Sequence, residues 1–325
     1  MPNLCRRSLL AAFGAISASA LATSKAWAQA YPSKDINFII PDGPGGGFDS
    51  YVRALAPALE KHLPHKVTVI PTNVPGAGGA RAATEIFRAK PDGYTIGIFN
   101  VPGIYIQQER GGTSFDLTKL TWLGRAGVDY YGLAVGANSP IKSVDDLREL
   151  AKQRPIKFTS TGPAGTAYNA TLIAAHLLGL RPQLITGYKG SSDYVMGAVR
   201  GDGDAVITVV PTLRRMAAGG TLRILASFED KNGVEGAADA STLGQPELAQ
   251  ITLQRLIAGP PALPVDIKND LASGIAKALA DADVQNWAQK ADAGLAPETP
   301  EQAMATLNAQ IAFYNKWKPL LNSKT

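Results

Sequence analysis

The sequence predicts an α/β protein built as two lobes facing a cleft. Short apolar runs alternate with helical patterns from residue 31 onward, the rhythm of an open, mostly parallel sheet covered by helices. A second set of similar units begins near residue 156, related to the first by pattern and not by any strong repeat. Glycine-rich turns join strand to helix in both sets, where open α/β sheets bind their ligands.

In the first set, "INFIIP" (36–41) reads as a buried strand and "SYVRALAPALEKHL" (50–63) as an amphipathic helix. "KVTVIP" (66–71) is a strand, "ARAATEIFRA" (80–89) a helix and "YTIGIFN" (94–100) a strand. The helix in "SVDDLRELAKQ" (143–153) opens on Ser143 with an acid three residues on, a capping box. The second set runs "IKFTST" (156–161, strand), "TAYNATLIAAHLLG" (166–179, helix), "QLITGY" (183–188, strand), "SDYVMGAVRG" (192–201, helix), "DAVITVV" (204–210, strand) and "LRILASF" (222–228, strand). A polar, irregular stretch follows to about residue 248. The chain ends in helices after Pro264, around 283–290, and from Thr299-Pro300-Glu301-Gln302, which joins an N-cap Thr to Pro at the first helical position.

Residues 1–28 have a short positive region, an apolar run and an Ala26-Trp27-Ala28 ending, which together read as a cleavable signal peptide. The run is shorter than the roughly 20 residues that span a bilayer. Arg6-Arg7 leaves twin-arginine and general export both open. Cys5 lies in the removed segment, so the mature chain has no thiol for a disulfide, a nucleophile or a metal. Its loss also leaves 29 basic against 27 acidic residues, a net charge of +2. With no basic stripe remaining, nucleic acid and anionic membrane surfaces are not expected partners.

Gly45, Gly46 and Gly47 bring bare N–H groups to a helix N-terminus, where the helix dipole favours an anion. "NVPGAGGA" (73–80), with Gly76, Gly78 and Gly79, and "TSTGPAGTAYN" (159–169), with Gly165 and Thr166, repeat the arrangement. Each turn alone is also a plain tight turn. Three in equivalent places favour clamping a small anion with carboxylates. No phosphate-loop or dinucleotide fingerprint accompanies them, and no cofactor or metal is expected. His62 and His65 read as solvated and His176 as packed; no metalloprotease or serine-hydrolase motif is present. An enzyme is therefore not expected.

"PGGGFDSYVR" (44–53), "NVPGAGGARAATEIFRAKPDGYTIG" (73–97), "YKG" (188–190), "GDGDAVITVVPTLRRMAAGGTLRILA" (201–226) and "IAGPPALP" (257–264) resemble the periplasmic solute-binding proteins of tripartite tricarboxylate transporters, the Bug family. The resemblance implies a type II periplasmic-binding-protein fold, with lobe 1 at 29–133 and 252–325 and lobe 2 at 134–251. It implies a receptor, expected to be a monomer, that closes on a small carboxylate and delivers it to a two-component membrane permease. The ligand residues it implies are Gly45, Gly46, Gly47 and Asp49, then Gly76, Ala77, Gly78 and Gly79, with Gly165 and Thr166 in the second lobe. Phe48, Tyr168 and Thr208 stand where the family has Thr, His and an acid, and Asp42 where an aromatic is common. Phe48 and Tyr168 would suit an aromatic mono- or dicarboxylate by stacking, with an aliphatic dicarboxylate the alternative. Phe48 packing on its own helix is the other reading of that residue. Tyr105, Tyr130 and Tyr131 either line the cleft or fill core. Asp49 is expected to cap backbone N–H groups and not to face a ligand carboxylate. A sensor docking on a membrane signalling protein and, more remotely, an exported hydrolase or isomerase remain the rival functions.

Overall fold

A computed structural model describes residues 30–163, 165–188, 190–231 and 233–322; the signal-peptide expectation, residues 1–28, lies outside them. The chain runs β1 (Ile36–Ile40), α1 (Gly47–His62), β2 (Val69–Asn73), α2 (Ala80–Arg88), β3 (Thr95–Val101), α3 (Gly103–Glu109) and β4 (Thr121–Gly136). It continues α4 (Val144–Gln153), β5 (Ile156–Thr159), α5 (Thr166–Leu177), β6 (Pro182–Ile185), α6 (Ser191–Arg200), β7 (Ala205–Val209), α7 (Val210–Ala218) and β8 (Leu222–Ser227). After the irregular stretch come β9 (Thr252–Gly259), α8 (Val265–Ala280), α9 (Ala282–Ala291), β10 (Leu295–Glu298) and α10 (Pro300–Asn322). Among the described residues no helix is long and apolar enough to cross a membrane.

The strands order β2-β1-β3-β9-β4-β7-β5-β6, with β8 and β10 also on β4. The outer pairs are parallel: β1 with β2 and β3, and β5 with β6 and β7. Around the middle the expected parallel rhythm gives way, because β4 pairs antiparallel with β7, β8, β9 and β10, and β3 with β9. Parallel neighbours need a helical crossover. β4 and β9 instead carry the chain directly between the two halves of the sheet. Residues 121–130 of β4 lie against β9, and residues 131–136 against β7 and β8.

Each strand's alternation decides its core. Ile36, Phe38 and Ile40 point into one cluster with Leu55 and Leu59 of α1 and Leu271 and Ile275 of α8, while Ile39 joins the opposite one. Both faces of β1 are covered, as a strand inside a helix-clad sheet requires. The larger cluster continues from Ile86 and Phe99 through Phe158, Ile173 and Val206 to Phe313 and Tyr314 of α10.

Two helix starts follow their sequence signals. Asp146 N–H donates to Ser143 Oγ and Ser143 N–H to Asp146 Oδ2, at 3.1 and 3.0 Å. Thr299 and Gln302 exchange bonds of 2.9 and 3.3 Å. The far end of α10 reaches elements on both sides of the expected lobe boundary: Tyr105 OH donates to Asn315 Oδ1 at 2.6 Å, Lys316 pairs with Glu247 at 2.7 Å, and Trp317 packs 5.3 Å from the His176 ring.

Gly127 lets β4 approach the β10 side of the sheet: a Cβ there would collide with the Gly294 carbonyl and lie 2.8 Å from the Tyr51 hydroxyl. Gly127→Ala is expected to cost about 1–3 kcal/mol of stability by overpacking, read from urea unfolding. Wild-type stability in the variant would show that this contact does not hold the strands.

Candidate ligand-binding cleft

The cleft, about 650 Å³, opens where the two halves of the sheet meet. One wall is the turn from β1 into α1. Gly45 takes a left-handed φ of 81°, and Gly46 is the N-cap. With no side chain there, the first N–H groups of α1, on Gly47 and Phe48, receive no side-chain cap from the N-cap residue. Gly45 is not an open donor, however: its N–H donates to Asp49 Oδ2 at 2.9 Å.

Asp49 is a buried hub. Arg53 Nε donates to both its oxygens at 2.9 Å, and Asn73 Nδ2 donates to Oδ1 at 3.0 Å and to the Asp42 carbonyl at 2.9 Å. The Arg53 bond, helped by those of Gly45 and Asn73, outweighs burial and holds the Asp49 pKa down at about 2. Asp42, at the cleft mouth, shifts the other way: desolvation raises its pKa against the pull of Arg255.

The floor is strand. Asn100 of β3 lies opposite Arg255 of β9, and Gly127 of β4 lies on its other side. Asp129 is two residues beyond Gly127 and so on the same face. It reaches Arg255, Nη1 to Oδ2 being 2.7 Å, with the side chains 7% and 4% exposed. The guanidinium lies 5.1 Å from the Phe48 ring and 4.3 Å from Tyr51, within cation–π range. Tyr51 packs edge-on to Trp287 at 4.9 Å. The opposite wall comes from Ser191, Ser192 and Tyr194 of α6 and from Thr208 of β7. Tyr194 and Thr208 share a buried 2.7 Å hydrogen bond, and burial pushes the Tyr194 pKa up to about 12. Arg215, Lys290 and Asp292 also line the cleft.

Of the residues singled out in the sequence, Gly45, Gly46, Gly47, Phe48 and Thr208 line this cleft together, with Asp42 and Tyr131. Phe48 is core as well as wall, its ring beneath Arg255. Asp49 stands behind the loop as an internal cap. Gly76, Ala77, Gly78 and Gly79 are not on the lining. Their turn takes positive φ throughout, with Gly78 under Gln107 and Gly79 against Pro41. Gly165, Thr166 and Tyr168 are off it too. Thr166 Oγ1 accepts from Asn100 Nδ2 at 3.2 Å, behind the lining Asn100. Tyr105 lies instead in a separate pocket with Tyr314 and Lys318. Arg255 and Asp129 were not foreseen. Their signal was a charge inside an otherwise apolar run, "TLQRLIAG" and "AGVDYYGLAVG". The buried hydroxyls of Thr159, Ser160 and Thr161, which have no partner among the described residues, were also missed as donors.

A mixed sheet in two helix-clad halves around such a cleft is the architecture of a solute-binding receptor. It aligns with a TctC solute-binding protein from Polaromonas at a TM-score of 0.73, 25% identity and 90% and 99% of the two chains. A Rhodopseudomonas palustris protein solved with adipate aligns at 0.76, with 23% identity and 90% and 98% coverage, which speaks for the fold. Protein BugT of Bordetella pertussis is 30% identical over 261 residues, 74% of each chain. The model of the tripartite tricarboxylate transporter family receptor matches residues 51–324, and the chain belongs to that family.

The depressed Asp49 pKa has a defined pH signature. Its stabilisation is complete above the ordinary carboxylate pKa near 4 and is lost as pH falls through about 2. Asp49→Asn is expected to lower stability at pH 7 by about 1–3 kcal/mol and to flatten the fall in melting temperature below pH 4. An unchanged acid profile in the variant would remove Asp49 from this role.

Proposed function

We propose that the protein is an exported, periplasmic receptor that captures a small organic carboxylate by lobe closure and hands it to a two-component membrane permease. The lobes in this reading are 29–133 with 252–325, and 134–251. The receptor acts as a monomer and performs no catalysis. The observation that carries it is the N-terminus of α1, which has no side-chain cap and whose Gly47 and Phe48 line a cleft between the two halves of the sheet. Such a terminus offers aligned donors and a positive dipole end to an anion. Family membership supports the receptor role and favours transport over sensing. The adipate held by a protein of the same fold supports a carboxylate. An aromatic ligand draws less support, because Arg255 covers the Phe48 ring and Tyr168 is off the lining.

A thermal-shift screen of the purified protein tests this. Adipate, succinate, malate or benzoate at a hundredfold excess over its dissociation constant is expected to add about 2.7 kcal/mol of stability, and the matching uncharged amide none. Stabilisation by phosphate alone, or by nothing in the panel, would overturn the carboxylate reading. Loss of uptake of the stabilising acid on gene deletion separates transport from sensing.

A further inference from the structure

The floor of the cleft holds a charge that the fold does not finish. A buried ion pair repays its desolvation only when the remaining protons and lone pairs are also satisfied. In the Arg255–Asp129 pair, Nη1 approaches Asp129 closely but without hydrogen-bond alignment, and Nε has no acceptor among the described residues. The third nitrogen, Nη2, faces the start of α1: a methyl group on Gly47 would lie 3.4 Å from it. Tyr51 OH, on the ring 4.3 Å from the guanidinium, and Asn100 Oδ1 are likewise buried without a partner among the described residues. Asn100 is the residue paired directly opposite Arg255, so both side chains rise from one face of the sheet. Arg255 and Asn100 both line the cleft, and each carries buried polar atoms with no hydrogen-bond partner among the described residues.

We propose that Arg255 is the specificity-determining residue of the cleft, taking one ligand carboxylate at Nη2 beside the Gly47 and Phe48 N–H groups, while Asn100 Oδ1 accepts a hydroxyl on the neighbouring carbon. The inference rests on the carboxylate-receptor reading and narrows it to 2-hydroxycarboxylates. Asp129 is the resident counter-ion. It neutralises Arg255 in the empty cleft and competes with the incoming carboxylate. Asn100 Oδ1 is already buried and unpaired in the empty cleft, so a plain carboxylate leaves that cost in place, whereas a 2-hydroxy acid relieves it by donating a hydrogen bond. Replacing Asn100 Oδ1 by an apolar group would remove that discrimination.

Isothermal titration of the purified protein with adipate and three matched pairs tests the proposal: lactate and propionate, malate and succinate, mandelate and phenylacetate. Within any pair that binds, the hydroxy acid is expected to bind about tenfold more tightly. The Arg255→Gln/Asp129→Asn double variant removes both charges with little change of shape. It is expected to fold, by circular dichroism, and to lose about ten- to a hundredfold in affinity for every binding acid. Should it fail to fold, Arg255→Lys keeps the charge without the fork and is expected to lose about tenfold. Asp129→Asn alone is expected to bind several-fold more tightly, which a purely structural ion pair would not produce. Wild-type affinity in the double variant, or in Arg255→Lys where the double variant does not fold, overturns the role of Arg255. Equal binding of a hydroxy acid and its deoxy partner, or adipate binding with no pair bound, overturns the hydroxyl preference. Both results leave the carboxylate reading standing. No binding by any acid overturns that reading and this inference together.

Discussion

The geometry of the molecule depends on β4 serving two sheet halves at once. Residues 121–130 hydrogen-bond to β9, and residues 131–136 to β7 and β8. The ladder with β9 shifts register twice, between Trp122 and Gly124 and between Arg125 and Gly127. Such irregularities bend a strand and increase its local twist. The halves are joined through this one continuous strand, and the cleft lies where they meet. Its floor is strand backbone, with register and side-chain direction fixed by pairing. Asp129 and Tyr131 reach the same face because they are two residues apart.

That origin explains which elements were legible in the sequence. β1, α1, α2 and β3 read correctly because each repeats one burial pattern between clear turn residues. The capping boxes at Ser143 and Thr299 were local chemistry, and local chemistry survives tertiary context. β4, β9 and α7 were not read. β4 carries Arg125, Asp129 and several glycines, which break the apolar run that marks a buried strand. In β9 Gln254 and Arg255 interrupt the apolar run in the same way, and its pairing with β3 and β4 on either side is not visible in its own residues.

The candidate site divides along the same line. The glycines at 45–47 were visible because backbone approach needs them in sequence, and they border the cleft. The glycines at 76–79 looked equivalent, yet their positive φ values serve a tight turn packed on Pro41 and Gln107. Sequence gives the dihedral requirement and not its purpose. Arg255 and Asp129 are 126 positions apart in the chain, and only strand pairing makes them neighbours. The lesson is to treat a lone charge in an apolar strand as a question about what lies across the sheet.

Asp49 shows how an acid and an anion site share one helix start. A carboxylate in the first turn suits the dipole but would repel a bound anion close by. Here its oxygens are occupied by Gly45 N–H, Arg53 Nε and Asn73 Nδ2. Arg53 offsets its charge directly. The Gly45 bond also fixes the turn, so that the donors left over are those of Gly47 and Phe48, at the end of the helix. Asn73 in turn ties β2 to the Asp42 carbonyl, holding the loop from behind. The acid therefore shapes the donor array: with its own oxygens engaged by Gly45, Arg53 and Asn73, it leaves Gly47 and Phe48 on the cleft lining without a bond from it. Arg255 rises from the floor against the same helix start, its Nη2 facing Gly47, so the positive potential of the helix start and the guanidinium converge from two independent elements.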